Sequence, residues 1–163
     1  YVSGTCRPLL YAIQIKYNFD GAKVSDVEIN GKTYSKLHIK GLSHLSQPGN
    51  PAVPVRRETF TVPSGGELML TAEKGDYKEM KKYRLVPAKK PARDTEGASE
   101  PGYEFNEKRY QTDAFFPEEI VKIIDVQKRS DEQIVIIEVR PVQHNPVKQA
   151  IRVYSDISFI LKW

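Results

Sequence analysis

Cysteine is nearly missing from this chain: Cys6 is the only one in 163 residues. A single thiol excludes an internal disulfide and any cysteine-built metal cage. Histidine is almost as scarce. His38, His44 and His144 lie far apart, and none has the close spacing of a metal-ligand pair. There is no Gly-x-Ser-x-Gly elbow, no phosphate-cradling glycine loop and no cysteine in a nucleophile motif. No run of about 18 apolar residues occurs, so no helical segment is expected to insert in a membrane. A charged region followed by an apolar stretch does not open the sequence, as expected where an export signal has been removed or left out. Asp and Glu are scattered without a pairing that suggests an acid/base couple. The inventory is that of a non-enzymatic domain with no cofactor.

Composition is otherwise that of a folded protein, 39% apolar and 28% charged. The length fits one domain over residues 1–163, large enough to bury a core of its own. A net charge of +4 hides a near balance, since 25 basic residues face 21 acidic ones. The excess is local. Between Lys81 and Arg93 stand Lys81, Lys82, Arg84, Lys89, Lys90 and Arg93, with no acid among them. That run suits either a solvated loop or a basic recognition element. Lys and Tyr interleaved from Tyr77 to Arg84 could contact nucleic acid, yet no recognition fold accompanies them, so no nucleic-acid partner is expected.

The patterning is that of strands. Leu9, Tyr11, Ile13, Ile15, Tyr17 and Phe19 occupy alternate positions, with Gln14, Lys16 and Asn18 between them. Val27 and Ile29 lead into Asn30-Gly31, the pair favoured by the positive φ angles of a type I′ turn, and an extended pattern resumes from Tyr34. Three prolines in Gln47–Pro54 make that stretch a loop or sheet edge. Thr59–Val62 and Leu68–Ala72 read as strands on either side of Pro63-Ser64-Gly65-Gly66, and Tyr83–Val86 suits another. Ile134–Val139 reads as a buried strand. Ile151–Trp163 alternates except at Ser155. Glu118–Val126 suits two alternatives. Pro117 with Ile120, Ile123 and Ile124 fits a short helix, and the β-branched content fits a strand. His144 sits in Gln143-His144-Asn145-Pro146, which reads as a turn, and His38 falls on the polar face of a strand. Residues 88–102 have no periodicity and read as one long exposed loop, a length usually tied to function. The expected fold is all-β, a two-sheet antiparallel sandwich, jelly-roll-like, with little helix. Leu9, Tyr11, Ile13, Ile15, Ile151, Val153, Phe159 and Leu161 are its expected core residues.

A set of aromatic and proline landmarks adds a family. Gly49-Asn50-Pro51-Ala52-Val53-Pro54 is followed by Val62-Pro63-Ser64-Gly65 and Leu85-Val86-Pro87. Then come Tyr103, Tyr110, Phe115-Phe116-Pro117, Pro141, Asn145-Pro146-Val147 and Arg152-Val153-Tyr154-Ser155-Asp156-Ile157. In this order and spacing, over about residues 45–163, the chain resembles the N-terminal prodomain of gingipain-type (family C25) cysteine peptidases, secreted Arg- and Lys-specific proteases of Bacteroidota. The resemblance implies a β-sandwich that docks on a peptidase catalytic domain, assists its folding and keeps the zymogen latent. It also implies a loop between the Pro87 and Tyr103 landmarks that presents a basic side chain to the specificity pocket.

Arg93, six residues after Pro87 and ten before Tyr103, is the first candidate for that role, with Lys89 and Lys90 as alternatives. A guanidinium forms a bidentate pair with a pocket carboxylate, whereas an ammonium offers a point charge. The implied partner is the cognate cysteine-peptidase domain, the isolated chain being a monomer. The implied setting is the secreted or cell-surface space reached through the periplasm. Two other readings remain open: a carbohydrate- or protein-binding surface module using Tyr77, Tyr83 and Tyr103, and a component of the type IX secretion apparatus.

Overall fold

A computed structural model describes residues 11–19, 21–91 and 102–163. The expectations for Leu9, Cys6 and Arg93 lie outside the described residues. Twelve strands follow one another along them: β1 (Ala12–Asn18), β2 (Lys23–Ile29), β3 (Lys32–His38), β4 (Ser43–His44), β5 (Pro54–Pro63), β6 (Met69–Lys74), β7 (Tyr77–Lys81), β8 (Val121–Lys128), β9 (Glu132–Val139), β10 (Val142–Asn145), β11 (Ala150–Tyr154) and β12 (Asp156–Lys162). One helical turn, α1 (Glu107–Tyr110), is the only helix among the described residues.

The strands pair antiparallel in four sheets, ordered β1-β12-β6, β4-β5-β9-β8, β10-β11-β7 and β2-β3. They enclose two apolar clusters. One joins Ile157, Phe159 and Leu161 of β12 to Val135, Ile137 and Val139 of β9. The other joins Leu37 of β3, Val55 of β5, Val142 of β10 and Ile151 of β11 around Leu85. The all-β antiparallel sandwich expected from the patterning is therefore present, with its strands divided over four sheets. Ser155 explains the one break in the terminal alternation: β11 and β12 belong to different sheets, and the chain changes sheet there. The segment Pro63–Gly66 makes a similar change between β5 and β6.

Asn30 and Gly31 have φ of 51° and 75°, and Ile29 pairs with Lys32 across them, so the hairpin forms as read. The ambiguous stretch is the strand β8. Its pairing with β9 shifts between Ile123 and Asp125, leaving Ile124 as a bulge residue exposed to solvent. That extra residue produced the helix-like spacing of Ile120, Ile123 and Ile124. Pro117 does not open a helix either: the chain runs from it into β8 without a helical turn. Among the expected core residues, Ile151, Phe159 and Leu161 are fully buried, and Ile13, Ile15 and Val153 are partly so. Tyr11 is not in the core. It is 56% exposed and stacks its ring on Trp163 with centroids 6.2 Å apart.

Candidate functional site

The basic run is held at both ends by the same two residues. Its incoming segment, Arg84–Ala88, lies between β3 and residues 50–52 and is apolar enough to be buried at Leu85, Val86 and Ala88. On one side the Ser35 N–H donates to the Arg84 carbonyl at 2.6 Å, and the Val86 N–H donates to the Ser35 carbonyl at 3.1 Å. On the other, the Ala52 N–H donates to the Val86 carbonyl, and the Ala88 N–H to the Asn50 carbonyl at 2.8 Å. Flanking chain thus supplies backbone partners for Arg84, Val86 and Ala88. The Tyr110 hydroxyl adds a bond to the Leu85 carbonyl at 2.8 Å. Burial pushes that phenol well above the ordinary tyrosine range.

The outgoing side returns to the same place. Gly49 donates its N–H to the Ala88 carbonyl at 3.0 Å, and its own carbonyl accepts the Asn106 N–H at 2.9 Å. The Asn106 side chain donates to Asn50 Oδ1 at 3.0 Å. Its oxygen accepts the Arg109 N–H at 3.2 Å, capping α1. Gly49 is required here for two reasons. Its φ is +84°, and a Cβ would stand 3.0 Å from the Asn106 nitrogen. An aromatic file, Tyr34–Phe105–Tyr110, with centroids 5.1 and 5.0 Å apart, packs the returning chain down.

Lys89 and Lys90 stand at this root and are exposed. Lys90 pairs with Glu104 at 2.6 Å, and Lys89 lies 4.6 Å over the Tyr103 ring. Both contacts cross from the incoming to the returning side of the loop. Lys90 is 57% exposed, and an ion pair in that setting contributes at most about 1 kcal/mol. Arg93, the first candidate, lies outside the described residues, as does most of the loop. The aromatics suggested as a sugar platform are dispersed. Tyr77 lies on β7 with Arg152 on its face, and Tyr103 lies at the loop root under Lys89.

His144 is not in a turn. It sits in β10, where all four residues are buried, and the turn follows at 146–149. Of the polar side chains that suggested a turn, Gln143 and Asn145 are satisfied inside, and His144 is bonded through Nε2 alone among the described residues. Gln143 donates to the Pro117 carbonyl at 2.8 Å and accepts the Tyr154 hydroxyl at 3.0 Å, and Asn145 donates to Asp113 at 2.8 Å. His144 Nε2 lies 3.4 Å from the Leu85 N–H and 3.3 Å from the Tyr83 carbonyl, beneath the incoming segment of the loop. Burial lowers its pKa to about 4, against a smaller raising effect of the Tyr83 carbonyl. His38, as expected, is exposed on β3. Sequence reasoning missed Gly49, Asn50 and Asn106 as the root, although Gly49-Asn50 was among the landmarks.

Among the described residues no group of three or more His, Cys, Asp or Glu could hold a metal, and no helix is long and apolar enough to cross a membrane. What this architecture offers is a stiff β-scaffold with a basic loop closed at its base. The chain belongs to the Propeptide_C25 family, whose model matches residues 11–162.

Gingipain R1 of Porphyromonas gingivalis is 24% identical over 146 residues, which is 89% of this chain and 14% of that protein. Gingipain R2 of the same organism is 23% identical over 145 residues, 88% of this chain and 19% of that one. The chain therefore spans less than a fifth of the length of these relatives. Among solved structures, a complex of Porphyromonas gingivalis RgpB pro- and mature domains matches with a TM-score of 0.82 at 20% identity, over 92% of this chain and 78% of that one. A structure addressing the zymogenic latency of gingipain K from Porphyromonas gingivalis matches with a TM-score of 0.71 at 19% identity, over 92% and 85%. The shared feature is the fold.

Proposed function

We propose that residues 1–163 act as one unit, the inhibitory and folding-assisting propeptide of a secreted gingipain-like cysteine peptidase. The loop of residues 88–102 lies across the active-site cleft of the catalytic domain, and the precursor stays latent until the propeptide is cut away. The observation that carries this reading is the closure of the loop on Gly49 and Asn50, which receive both its incoming and its returning chain. A loop fixed at its base loses less conformational entropy on binding, and so inhibits more tightly than a free basic tail.

Arg93 is the residue proposed to enter the specificity pocket. In its favour, Lys89 and Lys90 already engage Tyr103 and Glu104 across the root. Export through the periplasm of a Bacteroidota cell, by type IX secretion, accords with the gingipain relatives. The interface should bury on the order of 1,600 Å² in total. Titration of the purified chain into the matching catalytic domain tests the proposal. Inhibition saturating at one chain per enzyme is expected. An enzyme still fully active with excess chain bound or unbound would contradict it.

A further inference from the structure

Beside the loop root, on the side of α1, opens a groove of about 630 Å³ that includes Gln47 and Arg109. Its apolar lining includes the Phe115 and Phe116 rings, and its cations are Arg109, Lys122, Arg140 and Arg152. Each arginine is held by an aromatic ring beneath it, by an acid on its Nε, or by both. Arg152 lies 3.7 Å over the Phe115 ring, with its Nε on Glu79 at 3.1 Å. Arg140 places its Nε on Glu138 at 2.7 Å and one Nη on the Glu119 carbonyl at 3.3 Å. Arg109 lies 4.3 Å over Phe116, and its Nε is buried with no partner among the described residues.

We propose that this groove is a second contact of the propeptide, which takes a carboxylate-bearing segment, an Asp or Glu side chain, of the peptidase domain. The proposal rests on the propeptide reading and extends it. Guanidinium forks fixed over apolar rings are suited to a carboxylate, which they grip through paired N–H donors. Glu118 and Glu119 also line the groove, with Lys122 3.5 Å from Glu119. These acids repel a continuous polyanion such as nucleic acid or an anionic membrane, yet leave room for one well-placed carboxylate.

The groove is continuous with the loop root. Asn50 donates to Gln47 Oε1 at 3.0 Å, Asn106 donates to Asn50 Oδ1, and the Asn106 side chain caps the turn that carries Arg109. A partner seated on the loop is therefore brought against the groove. The contact would add orientation to the docking, and its charge would speed encounter.

The test measures inhibition and association of the matching catalytic domain with the full chain and with Arg109→Gln, Arg109→Lys and Lys122→Glu. Arg109→Gln should weaken affinity about tenfold, and Arg109→Lys, which keeps the charge and loses the fork, should weaken it less. Lys122 is exposed with Glu119 as its ion-pair partner and stands opposite Glu138 in the β8–β9 ladder, so Lys122→Glu, with its Tm checked against the parent's, reports on the groove even if an Arg109 variant fails to fold. It should slow association severalfold in low salt, and the difference should vanish at about 1 M salt. Wild-type constants for both Arg109→Gln and Lys122→Glu, with inhibition by the parent intact, would overturn the groove and leave the loop reading standing. A parent chain that neither binds nor inhibits would overturn both.

Discussion

Gly49 and Asn106 meet backbone to backbone, the Gly49 carbonyl accepting the Asn106 N–H at 2.9 Å with no space between them for a side chain. Through that contact the chain leaving the basic loop is fastened to the residue that also receives the chain entering it.

Gly49→Ala should therefore do more harm than an ordinary loop substitution. The new Cβ meets the Asn106 nitrogen at 3.0 Å, and the φ of +84° is strained for any L side chain. The expected cost is about 1–3 kcal/mol. Calorimetry should show a lowered Tm, and inhibition of the catalytic domain should weaken as well. An alanine variant that melts like the parent would show that the root is soft enough to absorb the change.

Glu138 offers a second test. This carboxylate is 2% exposed on β9 and accepts from Arg57 Nε at 3.0 Å and Arg140 Nε at 2.7 Å. Arg57 faces it directly across the β5–β9 ladder. Glu138→Ala leaves two guanidiniums facing each other, one of them only 12% exposed. Removing one partner of a buried pair costs about 3–5 kcal/mol, and the solvent access of Arg57 moves the expectation toward the lower figure. The urea midpoint should fall with the slope unchanged. A midpoint within error of the parent would mean that the pair is not a structural element.

The imidazole of His144 makes stability depend on pH. Its folded pKa of about 4 lies below the ordinary 6.5, so the unfolded chain binds the proton more readily. The contribution is complete above about pH 6.5 and is lost as pH falls from there toward 4. The whole shift corresponds to at most about 3 kcal/mol. Tm followed from pH 7 to pH 4 should decline in the parent, and the decline should be shallower in His144→Gln. Parallel curves for the two proteins would refute the assignment.

Much of this fold could be read from local chemistry. Asn30-Gly31 specified its hairpin because two positive φ angles are a backbone demand that few residues meet. The alternation from Tyr11 to Phe19 and from Ile157 to Leu161 announced one-sided burial, although Tyr11 itself lies past the core edge. Where a tertiary event intervened, the pattern misled. The bulge at Ile124 turned a period of two into an apparent helical spacing.

β7 carries lysines on an exposed edge, with only Met80 turned inward, so its alternation was faint and the strand went unread. Gln143, His144 and Asn145 looked like a turn because their partners, Pro117, Leu85 and Asp113, are distant in sequence. The loop root was half legible. Gly49-Asn50 stood among the landmarks, but its role follows from Ala88 and Asn106 arriving at one place, which no local pattern encodes.

The central claim is that a basic side chain of the loop mimics substrate, and inhibition constants for Arg93→Ala, Lys89→Ala and Lys90→Ala against the matching catalytic domain test it most directly. Arg93→Ala leaves a pocket carboxylate unpaired, a cost of about 2–5 kcal/mol at an interface. Its inhibition constant should rise by roughly one and a half to three and a half orders of magnitude, with small changes for the two lysine variants. A Lys-directed enzyme would move the loss to Lys89 or Lys90. Three constants equal to the parent's would contradict the substrate-mimic mechanism.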